Sequence, residues 1–509
     1  MNKIQYKWIK PAAFILLAAA LAGCQNAADA GENQNIKTEN RSEPNNTQKQ
    51  ENQNNSQDDA SEEEKDDVIA FESETEVSPG NVNLASYDSP ILISQEGSYE
   101  LTGNGKVPIV IDAEKKDIVL NLKDASITAQ GLPAIYVRKA GNVTVNVDGS
   151  NRIESEGAQT YEALNAALYS KSDLVLKGEG SLEAVCEDGH GIKAKDTFES
   201  ENLSLNIQAS QDGIHINEDG TFRSGTYTVK AEDEGIQSEQ SLTFENGTYN
   251  IVSLGDGIRA EDLLAVNDGE YHIETQNEGM ESKNELLISN GTVLIQAKDD
   301  GLNAANSLVI ENGTITCIST DNDGIDSNGD LIINGGTVTA IGLKTPETSF
   351  DTDGTPFEIN GGTVIGIGSE AAVPTSEDQN VLIMQADQSV SQIEVKQDQK
   401  TVISWSQEES AMTNQTNRSI LLLSSAQLEA GKEAEIYING DLKETVTIEA
   451  GQNLVGNVQI RSQPGQNPGG MPPQGMPDEG MNQNRKGRRR FAEDTDEPQP
   501  PTDAVISMD

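Results

Sequence analysis

A column of glycines sets the frame of this chain. Gly191, Gly213, Gly235, Gly257, Gly279 and Gly301 recur every 22 residues, and Gly324 follows after 23. A second column runs Gly225, Gly247, Gly269, Gly291, Gly313, Gly336 and Gly362, usually behind an Asn or Asp such as Asn246, Asp268, Asn290 and Asn312. Asn-Gly and Asp-Gly pairs are turn signals, because Gly and to a lesser degree Asn tolerate positive φ. Between the turns apolar and polar residues alternate. Leu242, Leu264, Leu286, Leu308 and Leu331 form one apolar column. Two residues on, Phe244, Val266, Ile288, Ile310 and Ile333 form another. Past the turn come Tyr249, Tyr271, Val293, Ile315 and Val338, and a third stretch aligns Ile236, Ile258, Met280, Leu302 and Ile325. A period of two within each stretch means strand. Three short strands in 22 residues leave no room for a helix, so each repeat reads as one coil of a parallel β-solenoid. Each coil then buries its apolar columns against the same columns above and below.

The composition agrees with a thin core. Hydrophobic residues make up 35% of the 509 and aromatics only 4%, which disfavours one large conventional core. The pattern continues less regularly on both sides of the clear repeats. Ala134-Ile135-Tyr136-Val137 and Ala167-Leu168-Tyr169-Ser170 look like earlier copies of the strand at Gly191–Ala194, and Ile91–Leu101, Ile109–Ile111 and Ile118–Ile127 read as strands of the first coils. Phe350 to Gly354 and Asn360 to Val364 form a last coil with an insertion. From Val381 to Leu454 the period is lost, and strands at Ile420–Leu423 and Glu435–Ile438 predict a β cap of the kind a solenoid needs over its open end. The expected organisation is a solenoid over 76–370 and a C-terminal β cap over 371–461, between disordered tails at 24–75 and 462–509.

The net charge of −49, from 84 acidic and 35 basic residues, argues against nucleic acid, whose phosphates need stripes of Lys and Arg. It also disfavours docking on anionic lipid and favours cations, or partners reached through cations. The N-terminus carries Lys3, Lys7 and Lys10, an apolar run from Pro11 to Leu21, and then Leu21-Ala22-Gly23-Cys24. The run is too short for a membrane span. Its end resembles the bacterial lipoprotein signal, which implies removal of residues 1–23, lipidation of Cys24, and an extracytoplasmic protein anchored to the cell membrane by lipid. Residues 24–75, mostly Asn, Gln, Glu, Ser, Asp and Thr, form a disordered tether with a reach of roughly 40 Å. The tail over 462–509 holds Arg485, Lys486, Arg488, Arg489 and Arg490, a cluster that either touches anionic wall polymer or is simply solvated.

The residue before each first-column glycine reads His190, Asp212, Glu234, Asp256, Glu278, Asp300 and Asp323. Stacked coils lie ~4.8 Å apart, and two carboxylates at that separation repel by roughly 3 kcal/mol at an effective dielectric near 20. Such a file either holds raised pKa values, or holds cations, or splays outward as hydrated surface. Oxygen ligands without a Cys or His cluster select a hard cation, most plausibly Ca²⁺. The file thickens towards Asp299, Asp300 and Asn303, one coil below Asp321, Asn322, Asp323 and Asp326, with Asp351 and Asp353 beyond. The candidate metal ligands are therefore Asp256, Glu278, Asp299, Asp300, Asn303, Asp321, Asp323 and Asp326.

Beside the acids, His215, Arg259, Glu281, Asn303 and Asp326 share an outward column, a flat polar strip along which an extended polymer could lie. Of these, His215, Arg259 and Glu281 are the candidate carbohydrate-binding residues. Tyr136, Tyr161 and Tyr169 are candidates for stacking on sugars from an exposed position, whereas Tyr227, Tyr249 and Tyr271 point inward by register. Cys186 and Cys317 lie about six coils, or roughly 29 Å, apart and read as buried free thiols, beyond disulfide reach.

The run from Pro90 to Val364 resembles a bacterial carbohydrate-binding domain built as a right-handed parallel β-helix related to polysaccharide lyases. The matching segments are Pro133–Val137, Asn165–Ser170, Asp188–Lys195 and the repeated Asp-Gly-Ile and Asn-Gly-Thr turns. The resemblance implies the right hand of the helix, calcium in the coils, and cellulose or acidic sugars such as polygalacturonate as partners. Two functions follow. One is a non-catalytic, surface-anchored carbohydrate-binding protein that uses calcium. The other is a calcium-dependent polysaccharide lyase, for which Lys193, Lys195, Arg259 and Lys283 are candidate bases, although no paired Lys or Arg signature falls on one face. A structural adhesin or spacer is a third reading.

Overall fold

The computed structural model describes residues 71, 73–352, 356–370, 372–375, 378–407, 419–456 and 458. The signal segment, Cys24, most of the tether, Asp353 and the basic tail cluster lie outside these residues. The chain is all-β, with two 3-10 turns at Leu84–Ser86 and Glu162–Leu164. Among the described residues no helix is long and apolar enough to cross a membrane.

The solenoid read from the glycine columns is present. One face is a 13-stranded parallel sheet that begins at Thr75–Val77 and ends at Phe350–Asp351. The other two strands of each coil belong to a continuous larger sheet. Register is kept from coil to coil: Leu242 pairs with Leu264, Leu264 with Leu286, Leu286 with Leu308 and Leu308 with Leu331. Inward residues alternate with outward ones along every strand, as at Leu203–Ala209, and the inward ladders form one continuous core.

Aromatic residues enter that core as stacks. Tyr227, Tyr249 and Tyr271 lie with ring centroids 4.7 Å apart and planes within 7° of parallel. Each hydroxyl donates to the carbonyl just before a second-column glycine: Ser224, Asn246 and Asp268, all at 2.9 Å. A buried phenol therefore costs little, because its polar end is satisfied. The two glycine columns serve different needs. Gly247 and Gly269 have φ of +139° and +126°, which only glycine adopts readily. Gly257 has no such φ. A Cβ there would lie 2.3 Å from Ile273 Cγ2 and 2.5 Å from the Gly279 carbonyl oxygen, so this column is set by the closeness of the next coil.

Cys186 and Cys317 are buried and free. Tyr136 and Tyr169 do not fit their assignment as exposed sugar platforms, since they are 0% and 2% exposed. They sit on the outer side of the first face, in register with Lys193. A small apolar cluster made with Val110, Leu164 and Ala166, against which Phe71 packs, covers them. Tyr161 alone of the three is exposed, at 41%.

After the last coil strand, Thr363–Gly368, the chain reverses. This strand pairs antiparallel with Ser419–Ser425, which also pairs antiparallel with Val381–Ala386. A separate four-stranded antiparallel sheet is built from Gln392–Gln397, Lys400–Ser406, Glu433–Ile438 and Asp441–Thr447. The cap packs on the outer wall of the final coils, where the outward column changes from Gln296 to Ile318, Ile341 and Ile367 and joins a second apolar core.

The closeness at Gly257 has a measurable consequence. Gly257→Ala is expected to lower stability by about 1–3 kcal/mol, the usual cost of overpacking, read as a lower urea midpoint. An unchanged midpoint would show that the coils are not held at this spacing.

Candidate functional site

The turn leading into the first face carries the acids. From Gly191 to Gly301 each first-column glycine N–H donates to the carbonyl of the acid one coil on: Gly213 to Glu234 at 2.9 Å, Gly235 to Asp256 at 2.8 Å, Gly257 to Glu278 at 2.9 Å and Gly279 to Asp300 at 2.8 Å. The seven positions from His190 to Asp323 are thus one file. Its aspartates are not splayed into solvent. Asp212, Asp256, Asp300 and Asp323 are 2%, 0%, 3% and 5% exposed, and Glu234 and Glu278 are half-buried.

Each stretch of the file meets this crowding differently. At its start, Asp212 is flanked by two imidazoles. His215 Nδ1 lies 2.7 Å from Asp212 Oδ2, and the Asp212 N–H donates to His190 Nδ1 at 3.2 Å. Burial alone would raise the Asp212 pKa, but the hydrogen bonds and charge of His190 and His215 outweigh it and hold this carboxyl well below the usual range. Burial depresses the pKa of His190 itself. One coil on, Glu234 stands 3.9 Å from Arg259. Burial, and after it the neighbouring Asp212, push it up to about 8.

The middle of the file brings three carboxylates together. Oxygens of Asp256, Glu278 and Glu281 lie within 4.8 Å of one another. Asp256 Oδ1 accepts from Asn277 Nδ2 at 2.7 Å and from the Glu278 N–H at 3.2 Å. Asp256 Oδ2 and Glu278 Oε2 are buried with no hydrogen-bond partner. Arg259 stands 3.9 Å from Asp256 and 3.6 Å from Glu281. Burial, then contact with Glu278, push Asp256 up to about 6. Burial also raises Glu281, although Lys283 pairs with it and opposes the shift.

Towards the end the file loses its bases. Asp300 Oδ1 accepts from the Asp323 N–H at 2.9 Å, and Asn303 Nδ2 lies 3.4 Å from Asp300 Oδ2. Burial first, and then Asp326, push Asp300 up to about 9, with Asp323 and Asp299 adding to the effect. Burial pushes Asp323 up to about 6, although the Thr348 N–H and hydroxyl both donate to it. Asn303 pairs in register with Asp326, and Asp326 with Asp351. Asp299 accepts from Asn322 at 2.7 Å, while Asp321 stands apart, 3.9 Å from Lys344.

The structure therefore stacks Asp256, Glu278, Asp300 and Asp323 in one file, with Asn303 and Asp326 in the column beside it. Among the described residues the tight groupings lie nearer the start: His190 with Asp212 and His215, Asp212 with Asp233 and Glu234, and Asp256 with Glu278 and Glu281. His215, Arg259 and Glu281 do occupy one register column, with Gln237 between the first two. Glu281 is only 4% exposed, so it belongs with the carboxylate group rather than on the open strip. The sequence carried a signal for this. Each file acid is followed three residues later by a strip residue, as Asp256 is by Arg259, and Glu278 is followed by Glu281. Two orphaned buried oxygens in an all-carboxylate group are a donor set that fits a hard, oxygen-seeking cation.

A family profile described as "carbohydrate-binding domain-containing protein" matches residues 87–340, 224–372 and 274–404. A protein of Acetivibrio thermocellus with the same description is 27% identical over 152 residues, which is 28% of this chain and 52% of the relative. The chain thus matches about half the length of that curated relative. Among solved structures, the polysaccharide lyase-like protein from C. thermocellum, studied as a gadolinium derivative, aligns with a TM-score of 0.29 and 20% identity, over 52% of this chain and 91% of that one.

The raised pKa values fix a pH dependence. Asp300 and Glu234 keep protons in the fold that an unfolded carboxyl has lost above about pH 4. The folded state binds more protons, so stability falls as pH rises through their folded values. His190 works in the other direction, but only below about pH 6.5. In chelator, the urea midpoint is expected to fall between about pH 6.5 and 8.5, and to fall less in Asp300→Asn. A midpoint that rises over this interval would contradict the burial of these acids.

Proposed function

Since the chain belongs to the family of carbohydrate-binding domain-containing proteins, we propose that it is a non-catalytic polysaccharide-binding protein that grips acidic sugars through calcium. The observation that carries this reading is the pair of buried oxygens without hydrogen-bond partners, Asp256 Oδ2 and Glu278 Oε2, in a file of stacked acids. A chain of net charge −49 repels a polyuronate unless a cation lies between the two. Bound calcium supplies that bridge, carboxylate to carboxylate. Asp256, Glu278 and Glu281 are the first ligand group. Asp300, Asp323, Asn303 and Asp326 are a second, with Asp299 and Asp321 at its margin. The strip of His215, Arg259 and Asn303 presents half-buried polar groups beside the file and provides hydrogen bonds to the polymer. A lipid on Cys24 and the tether behind it would display the solenoid outside the cell membrane.

The elimination reading is the weaker one on a specific observation. Abstraction of a proton from sugar carbon needs a base that is free to accept it. Arg259 is engaged by Glu261 at 2.7 Å and stands near Asp256 and Glu281, and Lys283 is paired with Glu281. A cation held among carboxylates keeps its proton.

Retention on immobilised polygalacturonate is expected with calcium and to weaken at least tenfold, about 1.4 kcal/mol, in excess chelator or in an Asp256→Asn, Glu278→Gln double variant. Retention unaffected by chelator would overturn the calcium bridge. Release of unsaturated products absorbing in the ultraviolet would establish a lyase instead.

A further inference from the structure

A groove lies where the C-terminal cap leans on the outer wall of the solenoid, on the same coils as the later acids of the file but on the strands of the larger sheet, and different from the file in chemistry. Its volume is about 410 Å³. The floor is aliphatic, formed by Ile318, Ile341 and Ile367, which also anchor the cap. One wall is the outward side of the solenoid. Thr314 and Thr316 stand in register with Thr337 and Thr339 on the next coil; Thr339 is buried, which leaves three accessible hydroxyls on two coils ~4.8 Å apart. The facing wall comes from the edge strand Lys400–Ser406 of the cap sheet and carries Trp405. Trp405 is half-buried against the apolar core of the cap. It is the one tryptophan beyond the signal segment, since the other is Trp8.

Charge identifies the occupant. In a chain in which 23% of residues are charged, the lining contains no Asp, Glu, Lys or Arg among the described residues. Its polar groups are hydroxyls and amides, with Gln296 and Gln407 at the ends and His272 as the sole titratable side chain. Hydroxyls and amides both donate and accept, which matches a polyol. They offer no positive charge to an anion. An indole together with an aliphatic floor buries the C–H faces of a sugar ring while its hydroxyls stay paired.

We propose that this groove is a second glycan subsite, specific for an uncharged saccharide and independent of calcium, with Trp405 as the stacking platform and the accessible threonines as hydrogen-bonding wall. The inference rests on the carbohydrate-binding reading but not on the calcium bridge. Uronate chains and neutral chains then occupy different parts of the same molecule, so that a mixed polysaccharide surface is held at two points.

The test is calorimetric titration of the full chain, in excess chelator, with the hexasaccharides of β-1,4-glucose, β-1,4-xylose, β-1,4-mannose and α-1,4-glucose. Saturable binding of at least one is expected. It should weaken at least tenfold in Trp405→Ala and, independently of the packing of the cap, in Thr316→Arg, which puts a charged side chain into the opposite wall. Calcium-dependent retention on polygalacturonate should be unchanged in both variants. No binding of any of the four sugars, or equal binding by Thr316→Arg, would overturn the subsite while leaving the calcium reading in place. Sedimentation showing a dimer that Thr316→Arg dissociates, without sugar binding, would assign the groove to a second copy of the chain and also overturn it. Loss of polygalacturonate retention in wild type, with neutral-sugar binding intact, would reject the calcium reading alone.

Discussion

Everything in this molecule depends on the backbone hydrogen bonds that hold one coil directly over the next. They fix residues 22 positions apart in sequence at the spacing of neighbouring strands. Each coil has too little apolar surface to fold alone. Its Leu, Ile and Tyr side chains become buried only because the coils above and below present the same residues at the same places. The tyrosine stack shows how strict the match is: a shift of one residue would turn Tyr249 outward and leave Phe244, which packs edge-on against it at 5.1 Å, beside a void.

The same register that satisfies the apolar columns forces the acids together. A repeating sequence cannot stack its leucines without also stacking its carboxylates. The chain meets this conflict in three ways along one file. Imidazoles flank Asp212, Arg259 and Lys283 lie among the middle group, and protons held by burial serve Asp300. The middle group is the place where the protein's own hydrogen bonds fall short, with two buried oxygens left over. That shortfall, more than the number of acids, is what supports the cation site proposed there.

Much of this could be read from the sequence, because solenoid repeats turn tertiary contacts into sequence columns. The coil length, the inward ladders, the acid file, the buried thiols and the polar column from His215 to Asp326 all follow from counting. What escaped were contacts between segments that do not share the period. Tyr136 and Tyr169 occupy outward positions and read as exposed, but Leu164 and Phe71 cover them, and neither belongs to a repeat column. Glu281 is drawn into the carboxylate group by side-chain packing that register alone does not show. The cap could be foreseen only as a few strands. Trp405 lines one groove with Thr316 and Ile341, at an interface that no repeat predicts.

The outer side turns apolar at both ends: late, from Gln296 to Ile318, Ile341 and Ile367, and early, where Val110, Tyr136 and Tyr169 lie under their own covering. Both ends are therefore committed to particular neighbours, while among the described residues the middle coils pack chiefly against copies of themselves. Duplication of a repeat is tolerable there and nowhere else. Every such event lengthens the rod by ~4.8 Å and adds one more acid to the file, so evolutionary growth of this protein is tied to a proportional rise in its stored negative charge.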